Sequence, residues 1–228
     1  GEGSTLSDEE KISVIEFTVD IINSRIPVIA GTGSNDTRHA VEFSKRVEKL
    51  GVDGLLVVTP YYNKGNENGI YEHYKAIAEG VKIPVILYNV PSRTGVNLSI
   101  PLLKRLAQIE NITALKEASG NISYVAEVAR EVPELDIYSG NDDMVVPVLS
   151  LGGKGVISVS ANIIPDISHD MTASFLKGDV KKARELQLKY NDLVNEVGNC
   201  RLPLGAMNES NRVRLTDILT AHEVTGWK

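Results

Sequence analysis

The sequence repeats one alternation along most of its length: a short run rich in Val and Ile, a polar tail, and then a helical pattern. Six apolar runs occur, at 26–33, 52–60, 81–91, 111–119, 135–140 and 155–162. They are apolar on both faces, which is typical of buried parallel strands joined by right-handed crossovers. Such strands build either an open doubly wound sheet or a β/α barrel. Polar tails follow nearly every run, and such tails converge more naturally on the mouth of a barrel than on one crevice of an open sheet. We therefore favour a TIM-type α/β barrel.

The helical patterns between the runs have recognisable starts. Ser7 and Glu10 form a capping-box pattern, and the helix that they begin should reach about Asn23. No linker marks a second domain. From the order of the predicted elements, we assign residues 1–178 to a partial barrel and residues 179–228 to a C-terminal helical extension. Further helices are predicted near 37–50, 69–80, 99–108, 122–131, from 142 or 143, and near 165–176, 179–196 and 209–222.

Composition excludes several functional classes. The 228 residues carry a net charge of −6 without a basic cluster, which argues against nucleic acid and anionic membrane as partners. No apolar stretch approaches the length of a membrane span, no signal-peptide core opens the chain, and Cys200 is the only cysteine, so we predict a cytoplasmic protein. The four histidines show no metal-ligand spacing, and we expect no metal site.

Two of the apolar runs end in residues that can carry chemistry. Lys116 closes the run at 111–119, and Tyr88 stands at the matching end of the run at 81–91. A lysine at the end of a buried strand is poorly solvated, which lowers the pKa of its ammonium and frees an amine that can attack a carbonyl. A nearby tyrosine hydroxyl could carry the protons of that step. The pair therefore predicts Schiff-base chemistry.

Each of these residues also has a structural interpretation. Lys116 could extend along the strand end to reach water, and Tyr88 could be a core aromatic with a satisfied hydroxyl. Arg93 could pin its loop to a local carboxylate, and Tyr62 could be an ordinary interface aromatic. The run Asn141-Asp142-Asp143 could suggest a cation site, but helix capping explains it more simply.

Seven segments in consistent order carry a resemblance to a known family: GEGSTLS, PVIAGTGSN, GVDGLLVVTPYYNK, PVILYNVPSRTG, KEASGN, YSGNDD and GGKGVISVSAN. The chain resembles the dihydrodipicolinate synthase family, part of the pyruvate-dependent class I aldolases that include N-acetylneuraminate lyase. The similarity extends from Gly1 to about Asn195, and the segment RLPLGAMNE (201–209) resembles the start of the family's final helix.

The resemblance implies a covalent mechanism without a metal or an organic cofactor. At the matching positions, Lys116 is expected to form an imine with pyruvate. Tyr88 is expected to relay protons during imine formation and later cyclisation. Tyr62 is expected to reach across a dimer interface and complete a neighbour's relay, which implies a homo-oligomer, a dimer or a tetramer.

The resemblance also implies how the substrates are held. Arg93, in the PSRTG segment, matches an arginine at the mouth of the site that holds the carboxylate of aspartate semialdehyde. Its presence favours the synthase branch over the lyase branch. Gly140 and Ile157 match backbone positions that line the pyruvate pocket.

The sequence departs from the family pattern at two places. The first family motif reads Gly-Thr-Thr-Gly-Glu, and the sequence begins at its final Gly-Glu, which implies an incomplete barrel that lacks the first two strands and the paired threonines. The second departure is a deletion between Asn195 and Gly198. We expect the strands at 27–33 and 155–160 to lack lateral partners as a result.

Two functional hypotheses follow. The first is a Schiff-base aldolase that condenses pyruvate with aspartate semialdehyde in lysine biosynthesis, with an enzyme of the N-acetylneuraminate lyase type as the alternative. The second is a catalytically inactive truncated barrel whose interest is structural and oligomeric. The absent threonines favour weak turnover, because losing a general acid–base group costs about 10²–10⁴-fold.

Overall fold

The structure is a computed structural model that describes residues 3–192 and 207–224. Its centre is a parallel sheet of six strands in chain order, and the sheet curls into a half-barrel. The strands are β1 (Ile29–Gly31), β2 (Gly54–Val58), β3 (Val85–Asn89), β4 (Ile112–Glu117), β5 (Asp136–Ser139) and β6 (Gly155–Val156). This α/β architecture is of the TIM type, and the predicted parallel order is confirmed.

Helices connect successive strands and supply the other side of the core. They are α1 (Asp8–Ile22), α2 (Thr37–Glu48), α3 (Glu67–Glu79), α4 (Pro91–Thr94), α5 (Ile100–Leu106), α6 (Ile122–Glu131), α7 (Val145–Ser150), α8 (Pro165–Leu176), α9 (Val180–Tyr190) and α10 (Glu209–Ala221). Leu55, Leu87 and Leu115 of the central strands are fully buried, in one apolar cluster with Tyr74 and Leu103 from the helices.

Several helix predictions are confirmed in detail. The Ser7 hydroxyl accepts a hydrogen bond from the Glu10 amide, and the Glu10 carboxylate accepts one from the Ser7 amide, so the capping box is present. Helices α6 and α8 have the predicted bounds. The short α4 was not predicted, because PSRTG reads as a polar tail. The predicted deletion at 195–198, Cys200 and the segment 201–206 lie outside the described residues.

The two outer strands are much shorter than predicted. The run at 26–33 contributes only β1, and the run at 155–162 contributes only β6. Among the described residues, each of these strands pairs with a neighbour on one side only. The inter-strand hydrogen bonds that a second neighbour would supply are therefore absent. Beyond β6, the amides of Val159 and Ser160 donate to the Asp142 carboxylate instead of to a neighbouring strand. The expectation that both edges lack lateral partners holds for the part of the chain that the structure describes.

The predicted division at residue 178 falls in the turn between α8 and α9. Gly178 has φ +90°, a conformation that favours glycine, and Asp179 caps α9 by accepting from the Lys182 amide. Helix α9 is also attached to the sheet side of the molecule. The Gln187 side chain donates to the Asp142 carbonyl and accepts from the Val146 amide. Helix α9 therefore contacts the segment that follows β5.

Candidate active site

Tyr88 and Lys116 lie side by side at the carboxyl ends of β3 and β4. The two strands are parallel neighbours, and Tyr88 is the register partner of Lys116. The Lys116 Nζ lies 4.3 Å from the centre of the Tyr88 ring. Lys116 is only 8% exposed, so its side chain does not extend into water as the structural interpretation required. The sequence placed these two residues at matching strand ends, and the structure brings them into contact.

Burial sets the protonation tendencies of both groups. Desolvation lowers the pKa of the Lys116 ammonium, and the nearby charge of Asp142 opposes that effect. Desolvation also raises the pKa of the Tyr88 hydroxyl, and the positive charge of Arg93 opposes it. Burial therefore shifts the lysine towards its neutral amine form and the tyrosine towards its protonated form. That combination is the one required for an amine to attack a carbonyl while a hydroxyl supplies a proton.

Gly140 packs directly against the Lys116 side chain at the end of β5. A Cβ at this position would lie 2.6 Å from the Ala118 Cβ and 3.1 Å from the Lys116 Cε. The Gly140 amide donates to the Glu117 carbonyl at 2.7 Å, which holds the glycine against the end of β4. Only a residue without a side chain fits here, so Gly140 borders the space around the lysine.

Ile157 occupies the next position around the sheet. Its amide donates to the carbonyl of Ser139 at 2.9 Å, and Ser139 is the residue that precedes Gly140. The predicted substrate-binding positions Gly140 and Ile157 therefore lie on adjacent strand ends, on the same edge of the sheet as Lys116.

Arg93 and Tyr62 border a separate, more open groove. Together with Tyr61, Lys64 and the α4 segment they line a cavity of about 730 Å³. Arg93 is exposed and forms no ion pair with a carboxylate among the described residues, which contradicts the interpretation that it pins its loop. Tyr62 has φ +69° and is 87% exposed, so its side chain is open to solvent in the single chain. The charge of Arg93 acts on Tyr88, which links the groove to the lysine pair.

A comparison with protein families matches the model of the Dihydrodipicolinate synthetase family to residues 1–205. The chain belongs to this family. Among curated relatives, the 4-hydroxy-tetrahydrodipicolinate synthase of Caldicellulosiruptor bescii is 50% identical, over 99% of this chain and 83% of that protein. The enzyme of the same name from Acetivibrio thermocellus is 53% identical, over 92% of this chain and 79% of that protein.

Solved structures of the dihydrodipicolinate synthetase family have the same fold. The chloride-inhibited dihydrodipicolinate synthase from Acinetobacter baumannii, in complex with pyruvate, superposes with a TM-score of 0.94 at 39% identity, and the match covers 99% of this chain and 84% of that one. The Aquifex aeolicus dihydrodipicolinate synthase gives 0.93 at 37% identity, covering 97% and 83%.

The run Asn141-Asp142-Asp143 has a different role from the one predicted. Asn141 stands at the start of a 3₁₀ turn but makes no capping hydrogen bond with its side chain. Asp142 is buried, and its Oδ2 accepts from the amides of Val159 at 2.9 Å and Ser160 at 3.0 Å. The helix-capping explanation is therefore wrong, because the carboxylate binds the segment after β6 and faces Lys116.

Sequence reasoning also missed Glu117 and Asn89, which are buried one register beyond the lysine pair. A polar residue directly after Lys116 in an otherwise apolar strand was the available signal. No group of three or more His, Cys, Asp or Glu side chains in residues 3–192 and 207–224 is arranged to hold a metal ion. None of the helices in those same ranges combines the length and the apolar character needed to cross a membrane.

Proposed function

We propose that this chain carries out the Schiff-base aldol chemistry of its family, the condensation of pyruvate with aspartate semialdehyde on the route to lysine. The observation that supports it most directly is the burial of Lys116 against the ring of Tyr88 at one register of the sheet. The names of the curated relatives supply the reaction, and the local geometry supplies groups that suit its first step.

The proposed sequence begins with attack of the Lys116 amine on the keto carbon of pyruvate. The carbonyl oxygen leaves as water, and the resulting imine withdraws electrons, so a proton can leave the methyl group. The enamine then attacks the aldehyde carbon of the second substrate, the aldehyde oxygen takes up a proton, and the imine is re-formed. The amino group of aspartate semialdehyde then displaces the Lys116 nitrogen as the product cyclises, which frees the lysine. The Tyr88 hydroxyl is proposed to carry protons to and from the oxygen that leaves, and the route uses no metal or organic cofactor.

The remaining predicted residues are proposed to hold the substrates. Gly140 and Ile157, on adjacent strand ends, would present backbone groups to the pyruvate portion. Arg93 would attract the carboxylate of aspartate semialdehyde in the open groove, because it has no carboxylate partner among the described residues. Tyr62 would serve a neighbouring copy, since its side chain is 87% exposed within its own chain.

We further propose that the half-barrel corresponds to an eight-stranded barrel without its first two strands, and that it is a cytoplasmic homo-oligomer, a dimer or a tetramer. Its support is the two outer strands, β1 and β6, which each pair on one side only among the described residues. A folded chain without useful turnover is the second candidate. The observation that favours it is Tyr62, which is 87% exposed and has no side-chain hydrogen bond among the described residues.

Borohydride trapping tests whether Lys116 forms the proposed imine. The chain is incubated with pyruvate and borohydride, digested, and analysed by mass spectrometry, with Lys116→Arg as the matched variant that retains the charge. We expect a reduced adduct on Lys116 in the parent chain and none in the variant. An unlabelled parent, or equal labelling of both proteins, would contradict the Schiff-base proposal.

A coupled assay then separates turnover from imine formation alone. Product formation from pyruvate and aspartate semialdehyde supports the synthase, whereas an adduct without turnover supports the inactive barrel. Cleavage of N-acetylneuraminate in the same assay would assign the chain to the lyase branch instead.

A further inference from the structure

A second polar pair lies one register beyond Tyr88 and Lys116. Asn89 of β3 is the register partner of Glu117 of β4. Because side chains alternate along a strand, this pair faces the opposite side of the sheet from the lysine pair. Asn89 is completely buried and Glu117 nearly so. A buried carboxylate needs hydrogen bonds to offset its desolvation, so the partners of Glu117 are informative.

Both carboxylate oxygens of Glu117 are bound by donors. The Asn89 Nδ2 donates to Oε2 at 2.7 Å, and the Ser119 amide donates to Oε1 at 2.5 Å. The side chain thus joins the end of β3 to the chain that follows β4. Burial raises the pKa of Glu117, and these hydrogen bonds oppose the rise by stabilising the charged form.

The contacts of Asn89 fix which atoms of the Asn89–Glu117 pair donate and which accept. The Asn89 Nδ2 also donates to Asn97 Oδ1 at 2.8 Å, and the Asn89 Oδ1 accepts from the Leu98 amide at 3.2 Å. The amide of Asn89 therefore cannot rotate without placing two donors face to face. A glutamine at position 117 would present an N–H group to one of the two donors that now bind the carboxylate.

Main-chain hydrogen bonds also hold the backbone of Asn89 and Glu117 in place. The Ala118 amide donates to the Asn89 carbonyl at 2.9 Å, and the Gly140 amide donates to the Glu117 carbonyl at 2.7 Å. Gly140 in turn packs against the Lys116 Cε. The residue directly after the lysine is consequently attached to β3 by its side chain and to the end of β5 by its backbone.

We propose that Glu117 is a positioning residue, whose carboxylate bridge to Asn89 holds the end of β4 in the register that keeps the Lys116 amine over the Tyr88 ring. This inference rests on the proposed Schiff-base function. Glu117 faces away from the amine and acts through the strand, and its carboxylate takes no part in the chemical steps.

The test uses Glu117→Gln, which keeps the size of the side chain and reverses one hydrogen-bonding group. The matched control is Asn111→Ala, directly before the amino end of β4. This variant removes a side-chain amide that donates to the carbonyls of Ala78, Val81 and Ile83. Two quantities are measured: the rate of borohydride trapping with pyruvate, and the pH midpoint at which acetic anhydride labels Lys116, with the exposed Lys177 as internal reference.

We expect Glu117→Gln to trap pyruvate about 10²-fold more slowly, because a small displacement of a reacting group has an effect of this size. The labelling midpoint of Lys116 should move up as the side chain gains access to water. Asn111→Ala should leave both quantities unchanged even where it lowers the melting temperature. Unchanged trapping and an unchanged midpoint in Glu117→Gln would overturn the proposal.

The double variant Asn89→Asp, Glu117→Gln tests the polarity itself. The carboxylate introduced at position 89 would accept from the new glutamine and from the Leu98 amide, and the exposed Asn97 can rotate its amide to donate. We expect this exchange to recover most of the trapping rate, and a double variant as slow as Glu117→Gln would count against the bridge. If Glu117→Gln does not fold, Asn89→Ser carries the same test, with slower trapping in favour and parental trapping against.

The acetic anhydride measurement keeps this inference separate from the proposed function. A parent chain that forms no adduct with pyruvate would refute the Schiff-base proposal, and the labelling midpoint would still decide whether Glu117 positions the lysine. A parental midpoint in Glu117→Gln would then overturn the positioning role by itself.

Discussion

Gly140 is the residue whose substitution should report most directly on the space around Lys116. An added methyl group would lie 2.6 Å from the Ala118 Cβ and 3.1 Å from the Lys116 Cε. The methyl group must displace one of these neighbours, and overpacking of this kind costs about 1–3 kcal/mol. We therefore expect Gly140→Ala to lower the free energy of unfolding and to slow imine trapping about 10²-fold.

The matched control for this substitution is Gly31→Ala. Gly31 lies in β1, and a Cβ there would meet no atom within 4 Å. The same chemical change should leave both denaturant unfolding and trapping near the parental values. Parental trapping in Gly140→Ala would show that the lysine side chain has more freedom than its packing indicates.

Asp142 should control the pKa of Lys116 through its charge alone. Its Oδ2 accepts both backbone amides, so an asparagine with its amide oxygen in that place keeps the two hydrogen bonds and loses the negative charge. The charge of Asp142 raises the pKa of Lys116 against the effect of burial. We expect Asp142→Asn to lower the pH midpoint of Lys116 labelling by acetic anhydride.

Asp143→Asn provides the same change of charge at the exposed neighbouring position. Screening by water should leave the Lys116 midpoint unaffected in that variant. Equal shifts in the two variants would show that net charge, rather than the buried carboxylate, sets the protonation of the lysine.

At the scale of the elements, α3 contains a buried histidine that should make stability depend on pH. His73 is 3% exposed, its Nδ1 forms a hydrogen bond with the Thr37 hydroxyl, and burial lowers its pKa to about 4 despite the charge of Asp36. In the unfolded chain the pKa returns to about 6.5. As the pH falls from 6.5 towards 4, the histidine binds a proton in the unfolded state but stays neutral in the folded state. The free energy of unfolding therefore decreases over this range.

We expect this histidine to remove about 2 kcal/mol of stability between about pH 7 and pH 5. The measurement is urea unfolding at both pH values, for the parent and for His73→Gln, which cannot titrate. The parent should lose more stability than the variant over this interval. An equal loss in both proteins would indicate that other groups cause the acid sensitivity.

The elements that could be predicted from the sequence are those with local signals. The capping box of Ser7 and Glu10 fixes the start of α1, and the apolar runs at 52–60 and 111–119 indicate β2 and β4. The lengths of β1 and β6 could not be predicted, because a strand extends only as far as its neighbours supply hydrogen bonds. That information is not contained in the run itself.

The candidate site divides in the same way. Strand-end positions indicated Lys116 and Tyr88, because parallel strands bring their carboxyl ends to one edge of the sheet. Glu117 was missed and the role of Asp142 was predicted wrongly, because their roles depend on partners distant in sequence: Asn89 in one case and the Val159 amide in the other. A polar residue in an apolar strand can signal a buried carboxylate, but only the fold shows which remote donors bind it.

At the scale of the whole molecule, α1 carries two apolar faces and only one of them is covered. Ile12, Ile15 and Val19 pack against the main core, whereas Val14, Phe17 and Ile21 form a second row that is more than half exposed. The exposed Ile26 and Ile29 lie in the chain that leads into β1 and in β1 itself, which has no second strand partner among the described residues. Several large exposed apolar side chains on one element are typical of an interaction site.

We expect this face to be covered in the proposed homo-oligomer, and light scattering after size exclusion tests the expectation. The parent should elute as a dimer or a tetramer at micromolar concentration. Phe17→Lys should shift the mass towards the monomer, because burying a phenylalanine contributes about 2 kcal/mol for each copy at an interface. Phe17→Leu keeps the side chain apolar and should associate like the parent. A parent that is a stable monomer would contradict the proposed oligomer. A Phe17→Lys variant with the parental mass would mean that α1 faces solvent in the oligomer.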